Sequence, residues 1–363
     1  MDLGAVRHNV GVLAAHVGPA ELCAVVKADG YGHGAIAVSQ AALEAGARWL
    51  AVALVEEAAV LRRAGIDAPI LLLSEPRGAA VEAAVRFGLR TAVYTPSGIE
   101  AVAAASTAAG VTTAVHLKVN TGMNRVGADP DDVVGLAERA AGLDGVDVEA
   151  LWTHCAVADE PGHPFTDRQL GRFDGAVAEL ERRGLRPTML HAANSAAGID
   201  HPAARHDLVR AGIAVYGVAP SPALADRLPL RPAMSLRSEV AFTKPVRAGE
   251  GISYGLRHTF ERDTIVATVP IGYADGVPRA LSGHGGAVLV GGRRRPIVGV
   301  VTMDQLMVDV GPDGDVAVGD EVVLLGAQGD EVVTAQDWAE AVGTIGYEIV
   351  CGIGPRVPRW YTG

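Results

Sequence analysis

The sequence predicts an α/β chain: an N-terminal (β/α)8 barrel followed by a C-terminal mostly-β domain. Three observations predict it. Eight short β-rich runs alternate with alanine-rich helical patterns as far as Arg210, polar side chains collect at the ends of those runs, and glycine-punctuated strands take over beyond Gly217. A chain of 363 residues is too long for one ordinary domain and suits a barrel plus a second domain.

Taken in order, the strand runs are residues 22–26, 50–54, 69–73, 91–94, 113–119, 148–153, 187–190 and 207–210. Helical patterns separate them at 35–45, 56–64, 79–87, 97–109, 130–141 and 165–183, and the seventh helix must be short, within 195–206. Eight such units are the number that closes a barrel. Residues 219–232 form a proline-rich crossover, which places the domains at 1–229 and 230–363. Beyond it, strand-like runs at 234–244, 264–270, 287–290, 295–301, 305–310 and 321–325 are separated by glycine turns, with one helix at 334–342.

Composition narrows the function. Apolar residues make up 49% and charged residues 20%, enough for a substantial core. The formal net charge of -11 argues against nucleic acid or an anionic membrane as partner, since both require basic patches. One anionic ligand can still be held locally. Three cysteines without metal-type spacing read as reduced thiols, and with no signal peptide or membrane-length apolar run the expected compartment is the cytoplasm.

In such barrels chemistry gathers at the carboxyl ends of the strands. Those ends carry Lys27, Tyr94, Lys118, His154, then His191 with Asn194 and Ser195, and finally Arg210. Lys27 has the most telling setting. An apolar run delivers it to a glycine-rich turn bearing Tyr31 and His33, and a lysine there can become a nucleophile or base once burial lowers its pKa. The segment 153–163 carries His154, Asp159, Glu160 and His163, yet no second aspartate–histidine set stands at neighbouring strand ends, so no metal site is expected.

Nine short segments in one order resemble the alanine racemases, fold-type III enzymes that use pyridoxal 5′-phosphate (PLP). They are residues 25–34, 117–125, 153–160, 191–196, 210–217, 252–255, 270–276, 303–305 and 346–348, with lysine in the first and tyrosine in the sixth. Individually weak, together they span nearly the whole chain.

The resemblance implies a PLP-binding barrel and a homodimer whose active sites borrow residues from the partner's β-domain. Lys27 would carry PLP; Tyr31, Ser195 and Tyr347, with amides near Gly212 and Ile213, would hold its phosphate, and His154, Asn194 and Arg210 would complete the cofactor site. Racemisation requires two bases on opposite faces of the α-carbon. The resemblance gives these roles to Lys27 and, from the other subunit, Tyr254; both titrate at about pH 10 unperturbed, and Arg210 and His154 are the candidates for tuning the tyrosine. Arg210 would stand against the pyridine nitrogen. Arg125 would face the cofactor's phenolic oxygen and the substrate carboxylate, beside a carbamylated Lys118. Met303 and Asp304 would bound the substrate pocket, and Tyr273, Asp159 and Arg279 the access channel. Family members carry a short first strand that joins the β-domain, so residues 1–10 are expected to pack there. The implied activity is interconversion of L- and D-alanine, supplying a peptidoglycan precursor. The alternatives are a serine or broader racemase of the same fold, a fold-type III decarboxylase, or a non-catalytic PLP carrier; the β-domain argues against the carrier.

Overall fold

The structure is a computed structural model describing residues 1–363. Eight parallel strands run Glu21–Val25 (β1), Trp49–Val52 (β2), Ile70–Leu72 (β3), Arg90–Val93 (β4), Thr113–Lys118 (β5), Val146–Trp152 (β6), Met189–His191 (β7) and Leu208–Ala211 (β8). Each pairs with its sequence neighbour up to β7, and β8 pairs with β1. The gap between β7 and β8 is spanned by backbone bonds from Asp207 N to Leu190 O (3.0 Å) and from Arg210 N to Ala193 O (3.1 Å). The result is a nearly closed barrel. Its strands are buried on both faces, as parallel strands under a helical layer must be.

The helices of this unit are Leu3–Val17 (α1), Ala35–Glu44 (α2), Val55–Arg63 (α3), Ala79–Arg86 (α4), Pro96–Ala109 (α5), Val133–Ala141 (α6), Phe165–Arg182 (α7) and Ser195–Asp200 (α8). No α-helix follows β8. α1 lies beside β1 and α8 and completes the helical layer from the opposite end of the unit. Asn9 ties it to the segment after β8, donating from Nδ2 to Val215 O (3.1 Å) and Arg231 O (2.8 Å).

By compactness the chain divides into Leu3–Arg231 and a second unit of Met1–Asp2 with Pro232–Gly363. The expectation that residues 1–10 pack with the β-domain is thereby corrected. Only Met1 and Asp2 belong to it, where the amino terminus donates to Trp360 O (2.6 Å) and Asp2 bridges Thr362. From Leu3 onward, alanine and valine on one helical face are better buried against the barrel.

The second unit holds an antiparallel sheet of Phe242–Val246 (β10), Thr264–Val269 (β13), Leu306–Gly311 (β16), Arg293–Val298 (β15), Ala287–Val290 (β14), Glu321–Gln328 (β17) and Glu331–Val333 (β18), in that spatial order. Leu236–Glu239 (β9) adds to β17, and Gly251–Ile252 (β11) pairs with His258–Thr259 (β12). Helix Ala335–Val342 (α9) is fixed by a Thr334–Asp337 capping box and buries Trp338. Gly346–Gly352 (α10) follows.

Candidate active site

At the carboxyl end of β1 the chain makes a left-handed turn. Ala28, Asp29, Gly30, Tyr31 and Gly32 all have positive φ, between 51° and 79°. Three of these are not glycine, a conformation that costs about 1–2 kcal/mol per residue and must be held from outside. Glu57 Oε1 accepts from Ala28 N (2.6 Å), Asp29 Oδ1 accepts from Ala35 N (2.8 Å), and the Tyr216 hydroxyl donates to Val25 O (2.9 Å). A Cβ on Gly30 would stand 3.2 Å from Ala35 N, closer than ordinary contact, so glycine fits this left-handed position best. The turn leaves Lys27 at its start and Tyr31 buried at its end.

Across the barrel mouth, the Asn194 side chain caps α8 by accepting from Ala197 N (3.0 Å), which sets Ser195 at the first helical position. Ser195 Oγ accepts from Gly212 N at 2.8 Å and Ala214 N at 3.5 Å. A Cβ on Gly212 would stand only 2.5 Å from the Tyr31 hydroxyl. Two hydroxyls and the amides after β8 therefore converge in a space that only glycine keeps open. Such a cradle binds a phosphate without a cation. Ile213, fully buried, begins the short turn that supplies the last of these amides.

Beside the cradle lies a cluster of cations. Lys118 is 4% exposed with its Nζ 4.4 Å from the Trp152 ring centroid. Burial, then the nearby charges of Arg210, Arg125 and Lys27, lower its pKa to about 7. Arg210 is 3% exposed, lies over the same indole at 4.8 Å, and is lowered to about 10 by burial. No carboxylate touches it. Its Nη2 donates to Thr153 O (2.9 Å), Ala192 O (3.0 Å) and His154 Nδ1 (3.3 Å), and its Nη1 to His191 Nδ1 (2.7 Å). Burial and these cations hold His154 and His191 well below the usual histidine range, so both rings are neutral at pH 7. The pocket is thus rich in positive charge and poor in anions.

The barrel unit accordingly brings Lys27, Tyr31, Lys118, Arg125, His154, Asn194, Ser195, Arg210, Gly212 and Ile213 to one end. Asp159 is on the β6–α7 loop, where its backbone oxygen accepts from the Ser221 hydroxyl (2.6 Å). The other expected residues belong to the second unit. There Tyr254 is 73% exposed at the rim of an open cavity of about 440 Å³ lined also by Ile252, Ser253, Gly255, Thr302 and Met307. Met303 is exposed, and Tyr273 N and Ala274 N donate to the Thr302 and Met303 oxygens (both 3.0 Å), so the 273 turn braces the 302–304 loop. Arg356 clamps Asp304 (2.8 Å) and Asp275 (3.2 Å). Arg279 lies in a short 3₁₀ turn and Tyr347 at the start of α10. Sequence reading missed Trp152, His116 and Glu149. The first two were detectable from strand alternation, His116 being two residues before Lys118 and so on the same face.

The fold and site define a two-unit barrel enzyme with a cationic pocket of lysines and arginines beside an anion cradle. Models for the alanine racemase N-terminal and C-terminal domains match residues 1–220 and 233–361. The alanine racemase of Symbiobacterium thermophilum is 50% identical over all of this chain and 96% of its own length. That of Frankia casuarinae is 47% identical over 99% of this chain and 95% of its own. Among solved structures, the alanine racemase from D-cycloserine producing Streptomyces lavendulae superposes with a TM-score of 0.95 at 46% identity, covering 100% of this chain and 96% of its own. The Bacillus anthracis alanine racemase with bound L-Ala-P gives 0.92 at 39%, covering 100% and 94%. The chain belongs to the alanine racemase family.

Proposed function

We propose that this protein interconverts L- and D-alanine with PLP attached at Lys27, working as a homodimer in the cytoplasm and supplying a peptidoglycan precursor. The observation that carries the reading is the Tyr31–Ser195–Gly212 cradle beside the Lys27 strand end, in a chain that matches alanine racemases throughout. The donor set fits the cofactor: hydroxyls and amides for a phosphate, a lysine for the carbonyl, and Arg210 for the ring nitrogen. Bound there, PLP draws electron density from the substrate α-carbon. Arg210, a fixed cation, disfavours a proton on the ring nitrogen and so moderates that pull.

The protein's own residues move the protons. Lys27 Nζ serves one face of the α-carbon and the Tyr254 hydroxyl of a second subunit the other. Exposure of Tyr254 beside an open cavity supports its reaching another chain's site. Neutral His154, bonded to Arg210, links the tyrosine to that cation. Arg125 binds the substrate carboxylate together with the Met303 amide, and Asp304 bounds a pocket small enough to favour alanine. Tyr273, Asp159 and Arg279 line the approach, and Tyr347 adds a phosphate contact. Incubating the purified protein with L-alanine and following D-alanine by chiral chromatography tests the activity; product from serine but not alanine would replace it with the broader alternative.

The cradle makes a first prediction. Gly212→Ala forces the Tyr31 hydroxyl aside, and overpacking of this kind costs roughly 1–3 kcal/mol. PLP affinity, titrated on the apoenzyme, is expected to fall about 5- to 150-fold. An unchanged affinity would remove Tyr31 and Gly212 from the phosphate site.

Lys118 gives a second. Its folded-state pKa of about 7 lies below the ordinary 10.5. The protonated form therefore opposes folding, and stability is lost as pH falls from the lysine range towards about 7. Near neutral pH much of the amine is free to bond the carbon of dissolved CO2, releasing one proton and leaving a carbamate. That anion would answer Arg125 and the other cations. Returning bicarbonate to CO2-depleted protein is expected to raise the melting midpoint by about 2–4 °C and to give a carbon-13 carbamate signal, both absent in Lys118→Ala. Full activity with no carbamate signal would sink the modification.

A further inference from the structure

The buried Arg210 guanidinium is joined to a carboxylate through two histidines. Arg210 Nη1 meets His191 Nδ1 at 2.7 Å, His191 Nε2 meets His116 Nδ1 at 3.0 Å, and His116 Nε2 meets Glu149 Oε2 at 2.8 Å. Both rings are fully buried. His191 stacks on Trp152 at 14° and meets His116 edge-on at 5.1 Å. Glu149 alone reaches solvent, at the barrel face remote from Lys27, where Arg90 approaches it at 3.5 Å.

Chemistry fixes every proton in this series. An ionised carboxylate only accepts, so His116 donates from Nε2. As a neutral ring it then accepts at Nδ1, which obliges His191 to donate from Nε2 and leaves the His191 Nδ1 lone pair for Arg210. All three bonds point the same way, from the guanidinium to the carboxylate, an arrangement in which each bond polarises the next. The reverse order would set an N–H of His191 against an N–H of Arg210.

A strand irregularity lies at the last link. β5 and β6 pair Val115 with Val148 but His116 with Ala150, so Glu149 is the extra residue of a β-bulge. Bulges re-aim a side chain. The residue that the bulge inserts is the one that meets His116.

We infer that Glu149 is a positioning residue for the reaction: through His116 and His191 it sets the proton on each ring and holds the Arg210 guanidinium in its working orientation. This rests on Arg210 facing the cofactor's ring nitrogen. The carboxylate touches neither substrate nor cofactor.

The test uses holoenzyme labelled with nitrogen-15 histidine. Wild type is expected to show His116 and His191 as single neutral rings protonated at Nε2. In Glu149→Leu, which offers no acceptor, both are expected to lose that fixed tautomer, and kcat to fall about tenfold or more with KM within about twofold, the loss of one charge-assisted bond. Glu149→Gln, whose amide oxygen can still accept, is expected to keep the tautomers and lose less than about threefold. If the leucine variant does not fold, His116→Leu decides through the His191 signal and kcat. Retention of the tautomers, or of wild-type kcat, in the broken chain overturns the proposal. Arg210→Lys separates the two readings: if it leaves kcat and the cofactor absorbance unchanged, the placement of Arg210 fails. If it changes both while the Glu149 variants change nothing, only the chain fails.

Discussion

Lys27→Ala is expected to lose alanine interconversion by more than about 10⁴-fold, together with the visible absorbance of lysine-attached PLP. Two roles disappear at once, the covalent anchor and the base on one face. The Tyr31–Ser195–Gly212 cradle is untouched by the substitution. The variant should therefore still take up PLP non-covalently, with absorbance closer to that of the free aldehyde. Chiral chromatography and the absorbance spectrum read the two effects separately. Activity within tenfold of wild type would overturn the account from Lys27 outward.

Tyr254→Phe should lower kcat by about 10²- to 10⁴-fold, with the ring retained and only the hydroxyl removed. Mirror-image products have an equilibrium constant of one, so both directions must fall together. Lys27 keeps its own face, however. In heavy water the variant is expected to exchange the α-hydrogen of one alanine enantiomer while hardly converting it to the other. Exchange of both enantiomers at equal rates would mean that a second group besides Tyr254 serves that face. Mixing Tyr254→Phe with Lys27→Ala subunits adds a check on dimer sharing: sites borrowing an intact tyrosine beside an intact lysine should restore part of the activity.

Much of the barrel is legible in the sequence because burial on both faces leaves β1 to β8 as short apolar runs between helical periods. The predicted strand at 287–290 coincides with β14. Less visible was the first helix. Residues 3–17 have weak amphipathy, and a helix ahead of the first strand lies outside the strand-then-helix rhythm. α10 was missed because it is short and opens on glycine. In the site, lysines, histidines and Arg210 at strand ends were readable one by one, since chain order names the strand end. The Glu149–His116 contact was not, because chain order does not say which residues of β5 and β6 stand side by side, and their register shifts by one at this point. Nor was the left-handed turn at Ala28 and Asp29: neither residue announces positive φ, and bonds that chain order does not reveal, among them those of Glu57, Asp29 and Tyr216, hold it.

That turn bears on how the cofactor is received. Its three non-glycine residues hold a costly conformation, and bonds to Glu57 and Ala35 help to keep them there. The shape of the loop is what sets Lys27 at its start and Tyr31 at its end. A β-branched residue at Ala28 or Asp29 would therefore be felt first in cofactor retention.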